Sequence, residues 1–404
     1  MKPSILFIVT GDFEALKKKG NECMIYERDE GGFFDKVITV HPISYKTRSY
    51  ILNNHFEIYD IGFDLIQNAR HNRILMYLQT PIHFFRVVWR TVRLVKKYHI
   101  DLIRATDPYW IGLFGYICSK ICRVPFCVSI HADYDLIMEK NKNLTLCSVF
   151  GSYKLARLLE RFILSRAHMI MPYTETLVNQ TIAHGAKKNK IRVIPHGVDL
   201  SLFDLPQIHD IYKRFEISPE MKIVSIVSRL SQEKYANDFL PIARRLCKKR
   251  NDFVIIIAGD GKEGNRMKSE VAEDVLLKKH VHLVGFQPVD VCRELARNSV
   301  ASICLFSGFS LIEAFAAGCP VVSYNVEWHA EVVKNNQTGF LVKENDIDSV
   351  TEALDWLLEH PVERNEMGRK AKALMLERHD LKQTSATKVR WYSELLKRQA
   401  FDYK

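Results

Sequence analysis

The sequence lacks the cysteine patterns of metal-binding and disulfide-stapled proteins. Its nine cysteines are scattered, with no C-x-x-C pair and no zinc-type spacing. Zinc sites and disulfide frameworks both depend on regular cysteine spacings. We therefore expect reduced thiols in a cytosolic protein.

Long apolar runs are also absent. No segment approaches the roughly 18 consecutive apolar residues that a membrane-spanning helix needs. The apolar stretch Ile5 to Val9 is too short for the apolar region of a secretory signal, and no small-residue cleavage site follows it. These absences predict a cytoplasmic chain without a membrane span.

Internal repeats and low-complexity tracts are missing as well, and the composition is that of an ordinary globular protein. The 404 residues, 47% hydrophobic and 26% charged, are enough for two domains with separate cores. The formal net charge of +11 indicates an acidic partner. Nucleic acid is disfavoured, because the sequence has no stacking platform of aromatic and basic residues and no known binding motif.

One basic segment suggests what that acidic partner is. Between His83 and Lys97, the residues Arg86, Arg90, Arg93 and Lys97 recur at helical spacing, with the apolar residues largely elsewhere around the helix. A basic amphipathic helix of this kind suits peripheral contact with an anionic membrane surface. The alternative is a helix packed between two strands with a solvated basic face. The sequence leaves both interpretations open.

In the second half, three apolar strands end in loops that carry chemically useful residues. Ile223 to Val227 runs into a loop with Arg229 and Lys234, five positions apart. Two more strands end similarly: Phe253 to Ala258 before Gly259-Asp260-Gly261, and Val281 to Val284 before Gly285-Phe286. Open parallel sheets bind ligands at such strand ends. The two cations suit a diphosphate, and the alternative is a solvated loop in which they pair with Glu233.

The stretch from Ser299 to Val322 predicts a strand, a tight turn, a helix and a second strand. The turn is Ser307-Gly308-Phe309-Ser310, and the helix follows at once. A helix N-terminus after a glycine turn suits an anionic group such as a phosphate. Glu313 is expected in the first helical turn. Ser310 and Glu313 also match a capping box, which alone would explain both residues.

Six motifs together resemble the C-terminal half of the family-4 retaining glycosyltransferases (glycosyl transferases group 1), which have the GT-B fold. Their order and spacing are far more specific than any single motif. They are IPHGVDLSLF from Ile194, SRLSQEK from Ser228, IIIAGDGKE from Ile255, VHLVGF from Val281, SGFSLIEAFAAGCPVVS from Ser307 and EVVKNNQTGFLV from Glu331.

The resemblance implies roles for individual residues of this half. Arg229 and Lys234 would hold the donor's diphosphate and stabilise the charge that develops on the leaving group. Glu313 would accept hydrogen bonds from the hydroxyls of the donor ribose. The other donor-binding candidates of this half are Asp260, Phe286, Gly308, Phe309 and Ser310.

One departure from the family pattern concerns its two glutamates, which usually have seven residues between them. The first of them normally opens a Glu-Gly-Phe turn, whereas here the turn begins with Ser307, and only five residues lie between Ser307 and Glu313. In the family the missing carboxylate lies near hydroxyls of the transferred sugar. The resemblance therefore leaves the sugar and full catalytic competence open.

The N-terminal half resembles the family more weakly, at two strand ends. Ile5 to Val9, followed by Gly11, fits the opening strand of a doubly wound sheet, and Gly11 is a further donor-binding candidate. His131 follows the strand Pro125 to Ile130, where the family commonly carries a histidine that faces the donor sugar. We count His131 with the two phosphate-binding cations as catalytic.

A D-x-D pair, Asp133 and Asp135, offers a rival interpretation. Such a pair coordinates a divalent cation that carries a nucleotide diphosphate in glycosyltransferases of another architecture. The motif is short and common by chance, and the phosphate-binding residues make a metal superfluous. We therefore predict a site with no metal and no cofactor.

The predicted architecture is α/β, with two facing Rossmann-like doubly wound domains and a cleft between them. The N-terminal, acceptor-side domain covers residues 1–197, and the donor-binding domain covers 198–384. A C-terminal helix in 385–404 is expected to return to the first domain. A linker is predicted near Pro195 to Ser218, which is rich in turn residues.

The resemblance implies retaining transfer of a hexose-type sugar from a UDP- or GDP-linked donor to a hydroxyl of a glycan or lipid-linked glycan. The enzyme would work in the cytoplasm, at the inner face of the membrane if the basic helix binds lipid. Two alternatives stay open. One is a catalytically impaired subunit that binds sugar nucleotides, and the other is a nucleotide-sugar epimerase of the same fold.

Overall fold

The computed structural model describes residues 2–18, 22–62, 73–135 and 152–402. The chain forms two compact units, Met1–Pro195 with Thr384–Lys404, and His196–Gln383. The division predicted from the sequence, after residues 197 and 384, lies two residues and one residue from these boundaries.

Seven described strands of the first unit form one sheet, in the order β3-β4-β2-β1-β5-β6-β7. They are β1 Ser4–Ile8, β2 Lys36–Ser44, β3 Arg48–Ile51, β4 Phe56–Gly62, β5 Leu102–Ala105, β6 Phe126–Ile130 and β7 Met169–Pro172. All neighbours are parallel except β3, which runs antiparallel to β4. The helices described before residue 195 are α1 Phe13–Lys18, α2 Cys23–Tyr26, α3 Arg73–Lys97, α4 Trp110–Cys122, α5 Tyr153–Arg166 and α6 Thr176–Ala183.

The second unit has a six-stranded sheet that is parallel throughout, in the order β10-β9-β8-β11-β12-β13. Its strands are β8 Lys222–Val227, β9 Phe253–Ala258, β10 Val281–Gly285, β11 Ser299–Ile303, β12 Val321–Tyr324 and β13 Gly339–Val342. Its helices are α7 Ile211–Arg214, α8 Ala236–Cys247, α9 Gly264–Glu273, α10 Val275–His280, α11 Val289–Asn298, α12 Phe309–Ala316, α13 His329–Val332, α14 Ile347–Glu359 and α15 Pro361–Arg378. The last helix of the chain is α16 Leu381–Asp402.

The central strands of both sheets are largely apolar and rich in β-branched residues. The central strands β1, β5, β8 and β9 are buried almost without interruption. Continuous burial is typical of parallel strands with helices on both faces of the sheet. The predicted α/β class with two doubly wound sheets is confirmed.

Helix α16 packs into the first unit from Thr384 onward. Tyr392 and Leu395 join a core cluster that includes Ile5 and Phe7 of β1. On the same helix, Lys388 Nζ lies 2.6 Å from Glu30 Oε2, and both side chains are largely buried.

The predicted linker near Pro195 to Ser218 is wrong for most of its length. Leu200 and Phe203 pack with Phe315 in one core cluster of the second unit. Ile211 and Ile217 belong to another cluster of the same unit. The turn residues that suggested a linker instead separate short helical turns whose apolar residues are buried.

The basic segment forms the second half of α3, but its apolar residues are not all on the opposite side. Phe85 and Trp89 are exposed, and the Arg93 guanidinium lies 4.1 Å from the Trp89 ring centre. The buried side of the helix consists of Val87, Val88, Leu94 and Val95. No helix in the described ranges is long and apolar enough to span a bilayer.

Candidate active site

The candidate site lies at the carboxyl ends of β8 and β11. The chain winds from β8 to β9 and β10 on one side, then returns to place β11 on the other side of β8. In a doubly wound sheet this reversal opens a crevice between the two strand ends, where ligands bind. The loop after β8 carries Arg229 and Lys234, and the loop after β11 carries Ser307 and Gly308 and leads directly into α12. The structure therefore brings the two strongest sequence candidates to one switch point.

The Arg229 loop is held by the glycine turn after β9. Leu230 N–H donates to Asp260 O at 3.0 Å, and Glu263 N–H donates to Leu230 O at 3.0 Å. A Cβ at Gly259 would lie 1.8 Å from Ser228 O, so only glycine allows the two backbones to approach so closely. The G-D-G motif thus supports the loop that presents Arg229.

The two cations of this loop differ in exposure and partners. The Arg229 side chain is 62% exposed, and its Nη2 lies 3.1 Å from Glu233 Oε1. The predicted alternative, an ion pair with Glu233, is therefore present for Arg229. An exposed pair of this kind is weak, so it exchanges readily for a doubly charged ligand.

Lys234 is more buried than Arg229. Its Nζ lies 4.3 Å from the centre of the Phe306 ring, at the end of β11. Burial lowers the pKa of Lys234, the carboxylate of Glu327 raises it, and Arg229 lowers it further. Arg229 and Lys234 are carried by one loop, five positions apart. Anionic ligands are favoured where two like charges are held together.

The helix after β11 begins two residues earlier than a capping box of Ser310 and Glu313 requires. The N-cap of α12 is Gly308, and no side chain caps the helix. Ser310 is the second helical residue and Glu313 the fifth, beyond the first turn where the sequence placed it. The capping-box alternative is therefore wrong, as is the first-turn position of Glu313.

The uncapped end of α12 presents backbone groups to a ligand. The first N–H groups of a helix have no partner within it, and the helix dipole adds positive potential there. A Cβ built on Gly308 meets no atom within 4 Å, so the space in front of this turn is open. Phe309, the next residue, is partly exposed, and its ring centre lies 4.7 Å from the ring centre of His196.

Glu313 is held in a largely apolar setting behind this turn. Burial raises the pKa of Glu313 to about 7, and the positive charge of Arg293 on α11 opposes the rise. Arg293 is itself buried, and its Nε has no hydrogen-bond partner among the described residues. A carboxyl group with a pKa near neutrality at a strand-end crevice is typical of a functional site.

Ser307, which replaces the first glutamate of the family pattern, faces the protein interior. It is buried. His329 Nε2 lies 3.1 Å from Ser307 N and 2.9 Å from Ser307 O. Burial lowers the pKa of His329 to about 4, so this imidazole is neutral. Ser307, the residue that departs from the family pattern, is therefore a buried part of the turn.

Sequence analysis missed three residues around this crevice: Arg293, Glu327 and His329. Glu327 follows β12, the next strand in the sheet, and its backbone φ of 47° is in the left-handed region. The signal that could have found Glu327 is its position just after the strand Val321–Tyr324. Arg293 and His329 come from helices and carry no local motif, so only tertiary packing identifies them.

The remaining donor-binding candidates of this unit are less central. Asp260 is exposed, and its Oδ1 accepts a hydrogen bond from Gly261 N–H at 2.7 Å. Phe286 is 64% exposed at the end of β10, an edge strand separated from β8 by β9. Asp260 adjoins the switch point, whereas Phe286 lies at the far end of the row of strand ends.

In the first unit, Gly11 and His131 also follow strands. Gly11 comes after β1, which borders β5 at the reversal of strand order in this sheet. Its φ of +98° is accessible to glycine, and a Cβ there would meet no atom within 4 Å. His131 follows β6, and its ring meets the Tyr173 ring edge-on at 4.1 Å.

The D-x-D carboxylates have protein partners. Asp133 Oδ1 accepts hydrogen bonds from Gln180 Nε2 at 2.6 Å and from Asp135 N–H at 2.9 Å. Asp135 is ion-paired with Arg157, and His184 Nε2 lies 3.2 Å from Asp135 Oδ2. Within the described ranges no group of three His, Cys, Asp or Glu side chains is arranged to hold a metal ion.

Both halves of the chain match models of glycosyltransferase families. Residues 208–374 match glycosyl transferases group 1, and residues 14–202 match glycosyltransferase family 4. The group 1 match covers the strand ends described in the second unit, and the family-4 match includes His131 but begins after Gly11. The chain belongs to the family-4, group 1 glycosyltransferases with the GT-B fold, and it is a glycosyltransferase that uses a nucleotide-sugar donor.

Individual relatives agree with this assignment. The chain is 29% identical over 273 residues to the Escherichia coli UDP-Gal:alpha-D-GlcNAc-diphosphoundecaprenol alpha-1,3-galactosyltransferase, covering 65% of this chain and 67% of the relative. It is 23% identical over 267 residues to the alpha-monoglucosyldiacylglycerol synthase of Streptococcus pneumoniae, covering 64% of this chain and 59% of the relative. The crystal structure of Anabaena Alr3699/HepE in complex with UDP has the same fold, with a TM-score of 0.73, 17% identity and coverage of 97% of this chain and 100% of that one.

Proposed function

We propose that the chain transfers a hexose-type sugar, with retention of anomeric configuration and without a metal, from a UDP- or GDP-linked donor to a hydroxyl of a glycan or lipid-linked glycan. The observation that carries the proposal is the convergence of Arg229, Lys234 and the uncapped end of α12 at one switch point. This combination is complementary to a diphosphate.

The chemical step transfers the sugar from one oxygen to another. The bond between the anomeric carbon and the β-phosphate oxygen breaks, and a bond to the acceptor oxygen forms on the same face. The acceptor proton passes to an oxygen of the departing diphosphate. Arg229, Lys234 and the N–H groups of α12 stabilise the negative charge that grows on this leaving group. No protein nucleophile is required.

Glu313 has the environment of a ribose ligand in this scheme. A carboxylate accepts hydrogen bonds from two adjacent hydroxyls, and such charge-assisted bonds are stronger than neutral ones. Because the pKa of Glu313 is about 7, a bound diol would favour the ionised form at neutral pH. Asp260, Phe286 and Gly11 complete the proposed donor-binding set. His131 is proposed to act on the transferred sugar, as the family resemblance implies.

The names of the relatives support the donor and acceptor classes. The E. coli enzyme is named for UDP-Gal and for an acceptor linked to diphosphoundecaprenol. The streptococcal enzyme is named for a glucosylated diacylglycerol. Lipid-linked acceptors are therefore the first class to examine, with UDP sugars before GDP sugars. We include the cytoplasmic location predicted from cysteine usage in this proposal.

Metal independence follows from the charge already present at the switch point. Two cations and a helix dipole supply the neutralisation that a divalent ion provides elsewhere. The ion pair of Asp135 with Arg157 is consistent with a structural role for the D-x-D pair. We expect transfer to persist in excess EDTA. Loss of activity in EDTA that manganese or magnesium restores would instead assign metal binding to Asp133 and Asp135.

A screen of nucleotide sugars against lipid-linked and free glycan acceptors, read by mass spectrometry, tests the function. A product one sugar heavier than the acceptor, with NMR showing the donor's anomeric configuration, is the expected result. An inverted product would contradict retention. Donor isomerised without acceptor would support the epimerase, and binding of a donor without turnover across the panel would support the impaired subunit.

A further inference from the structure

Three helices of the first unit lie side by side on one face of its sheet. Helices α3, α4 and α5 connect β4 to β5, β5 to β6 and β6 to β7, always moving in the same direction across the sheet. Crossovers of one hand place their helices on one face. Helix α3 packs against α4, and α4 packs against α5. We call the outward side of these helices the α3–α5 face.

Large apolar side chains point outward on this face. On α3 they recur at i, i+3 and i+7, and Phe85 is 70% and Trp89 56% exposed. On α5, Leu158 is 64% exposed. The exposed apolar set of the three helices is Ile82, Phe85, Trp89, Ile121, Leu155, Leu158 and Phe162. An apolar patch that spans three neighbouring helices marks an interaction surface.

Charge on the same face has a single sign. The sequence has no Asp or Glu in α3 or in α4, and the single acid of α5, Glu160, is buried and ion-paired with Arg157. The exposed cations of the three helices are Arg93, Lys96, Lys97, Lys120, Lys154, Arg161 and Arg166. No exposed acid balances them on these helices.

A solvated helical surface of the same protein is different. In the second unit, Arg245 Nε on α8 lies 2.6 Å from Asp348 Oδ1 on α14, and Lys249 Nζ lies 2.5 Å from Glu352 Oε1. There the two signs alternate across the helices, as is usual on a face that meets only water. The α3–α5 face lacks this alternation and presents aromatic rings instead.

Cations are stacked over aromatic rings on all three helices. Arg93 lies 4.1 Å from the Trp89 ring centre, and Arg166 lies 4.0 Å from that of Phe162. Lys120 lies 5.8 Å from the ring centre of Tyr116. Such a pair suits the bilayer interface. The ring would lie at the edge of the acyl chains, and the cation beyond it would reach the headgroups.

We infer that the α3–α5 face binds the surface of an anionic lipid bilayer. The apolar side chains would enter the acyl boundary, and the cations would contact the headgroup phosphates. A second copy of this chain is disfavoured as the occupant, because like charges would oppose each other across a symmetric contact. The inference goes beyond the proposed function, since it requires neither donor nor acceptor.

Flotation with vesicles tests the inference on the full chain. We expect binding to vesicles of phosphatidylcholine mixed with phosphatidylglycerol, weak binding to phosphatidylcholine alone, and release by high salt. Phe85→Ser with Trp89→Ser should lower the partition coefficient at least about tenfold. The matched control, Val275→Ser with Val362→Ser, removes two exposed apolar side chains of the second unit and should bind like the unaltered protein.

The contribution of charge is separable from that of apolar insertion. Lys96→Glu with Lys97→Glu should lower partitioning to anionic vesicles by about fivefold or more for each charge, with no effect on phosphatidylcholine vesicles. Melting temperature and UDP affinity, measured on the same samples, should stay unchanged in every variant. A defect in UDP binding would concern the proposed function alone.

Brominated lipids locate the contact. Bromine atoms in the upper acyl chain should quench tryptophan fluorescence of the bound protein, and Trp89→Phe should remove most of that quenching. No binding to vesicles of either composition would overturn the inference, and so would binding that the face variants leave unchanged. Concentration-dependent dimerisation that the Phe85 and Trp89 variants abolish, without vesicle binding, would assign the face to a second copy instead.

Discussion

The two units wind their sheets in the same way, yet they place their charges differently. At the switch point of the second unit, Arg229 is exposed and Lys234 is close by. At the centre of the first unit's sheet, Arg104 on β5 is buried, with Nε donating to Ser129 Oγ at 2.9 Å and Nη1 lying 3.9 Å from Glu30 Oε1. The first unit, however, contains the whole excess of basic residues behind the net charge of +11, because acids slightly outnumber bases in the second.

In the two proposals above, one topology serves two kinds of anion. Accessible charges at a strand-end crevice suit a small, multiply charged ligand such as a nucleotide diphosphate. Charges spread over an outer helical layer suit an extended anionic surface. The buried charges Arg104 and Glu30 of the first unit are paired with other protein groups. Variants that separate donor binding from stability therefore test the comparison.

The largest effect is expected at Gly259. In Gly259→Ala the new Cβ would meet Ser228 O at 1.8 Å, so the Arg229 loop must move. We expect a loss of stability above about 4 kcal/mol, or failure to fold, because overlap with backbone cannot be relieved by a rotamer change. Gly285→Ala is the control, since its Cβ meets nothing within 4 Å and its φ of +69° costs about 1 kcal/mol. Calorimetric melting of both variants checks this, and equal losses would contradict it.

The first unit should show a loss of stability without a loss of donor binding. Lys388→Met removes the ammonium 2.6 Å from the buried Glu30 carboxylate and leaves only Ser385 Oγ at 2.9 Å and Arg104 Nη1 at 3.9 Å beside it, which should cost about 2–4 kcal/mol. Affinity for UDP, measured well below the melting temperature, should stay within about twofold of the unaltered protein, because Lys388 belongs to the other unit. Lys397→Met, an exposed change on the same helix, is the control. A marked fall in UDP affinity for Lys388→Met would contradict the expectation that the buried charges of the first unit affect stability and not donor binding.

Glu313 should link donor binding to pH in the second unit. Its folded pKa of about 7 lies above the unfolded value of 4.5, so its stabilising contribution is complete below about pH 4.5 and is lost as the pH rises through 7. Glu313→Gln should therefore be more stable than the unaltered protein at pH 8, by on the order of 1–3 kcal/mol, and the difference should vanish near pH 5. UDP affinity should nevertheless fall about tenfold through loss of the charge-assisted bonds. Denaturant titrations over this pH range measure the stability difference, and calorimetry measures the UDP affinity. Unaltered UDP affinity in Glu313→Gln would contradict the proposal that Glu313 binds the donor ribose.

The smallest effect is expected at Ser307. The Ser307 side chain is buried, so Ser307→Ala should leave UDP affinity within about twofold and cost at most about 1 kcal/mol of stability. A loss of sugar transfer with normal stability would show that the hydroxyl faces the donor. That result would assign to Ser307 the position of the glutamate it replaces, near the hydroxyls of the transferred sugar.

The strand ends of the second unit were easier to predict from the sequence than the start of its helix α12, for physical reasons. Strands such as Phe253–Ala258 are local, apolar and flanked by glycines, so their ends, and with them Arg229 and Lys234, could be located from pattern alone. The start of α12 could not, because Gly308 and Ser310 are equally plausible N-caps in isolation and tertiary packing selects one. Arg293 approaches Glu313 from another helix, a contact that no local pattern encodes.

The same limit applies to surfaces. Helical spacing correctly located the cations of α3 and put the apolar residues largely elsewhere around the helix, without separating buried from exposed ones. The structure buries Val87 and Val88 and leaves Phe85 and Trp89 exposed, although aromatic residues are usually buried. Their exposure emerges only when the sheet order puts α3, α4 and α5 in one layer.

Binding of UDP and GDP by isothermal titration calorimetry to Arg229→Ala, Lys234→Ala and the control Lys268→Ala tests the central claim most directly. Each loss of a charged hydrogen bond to the diphosphate should weaken binding by roughly 1.5–3 kcal/mol, with melting temperatures unchanged. Lys268→Ala, an exposed change on α9, should bind like the unaltered protein. Unchanged affinity in both switch-point variants would contradict the assignment of this crevice as the diphosphate site.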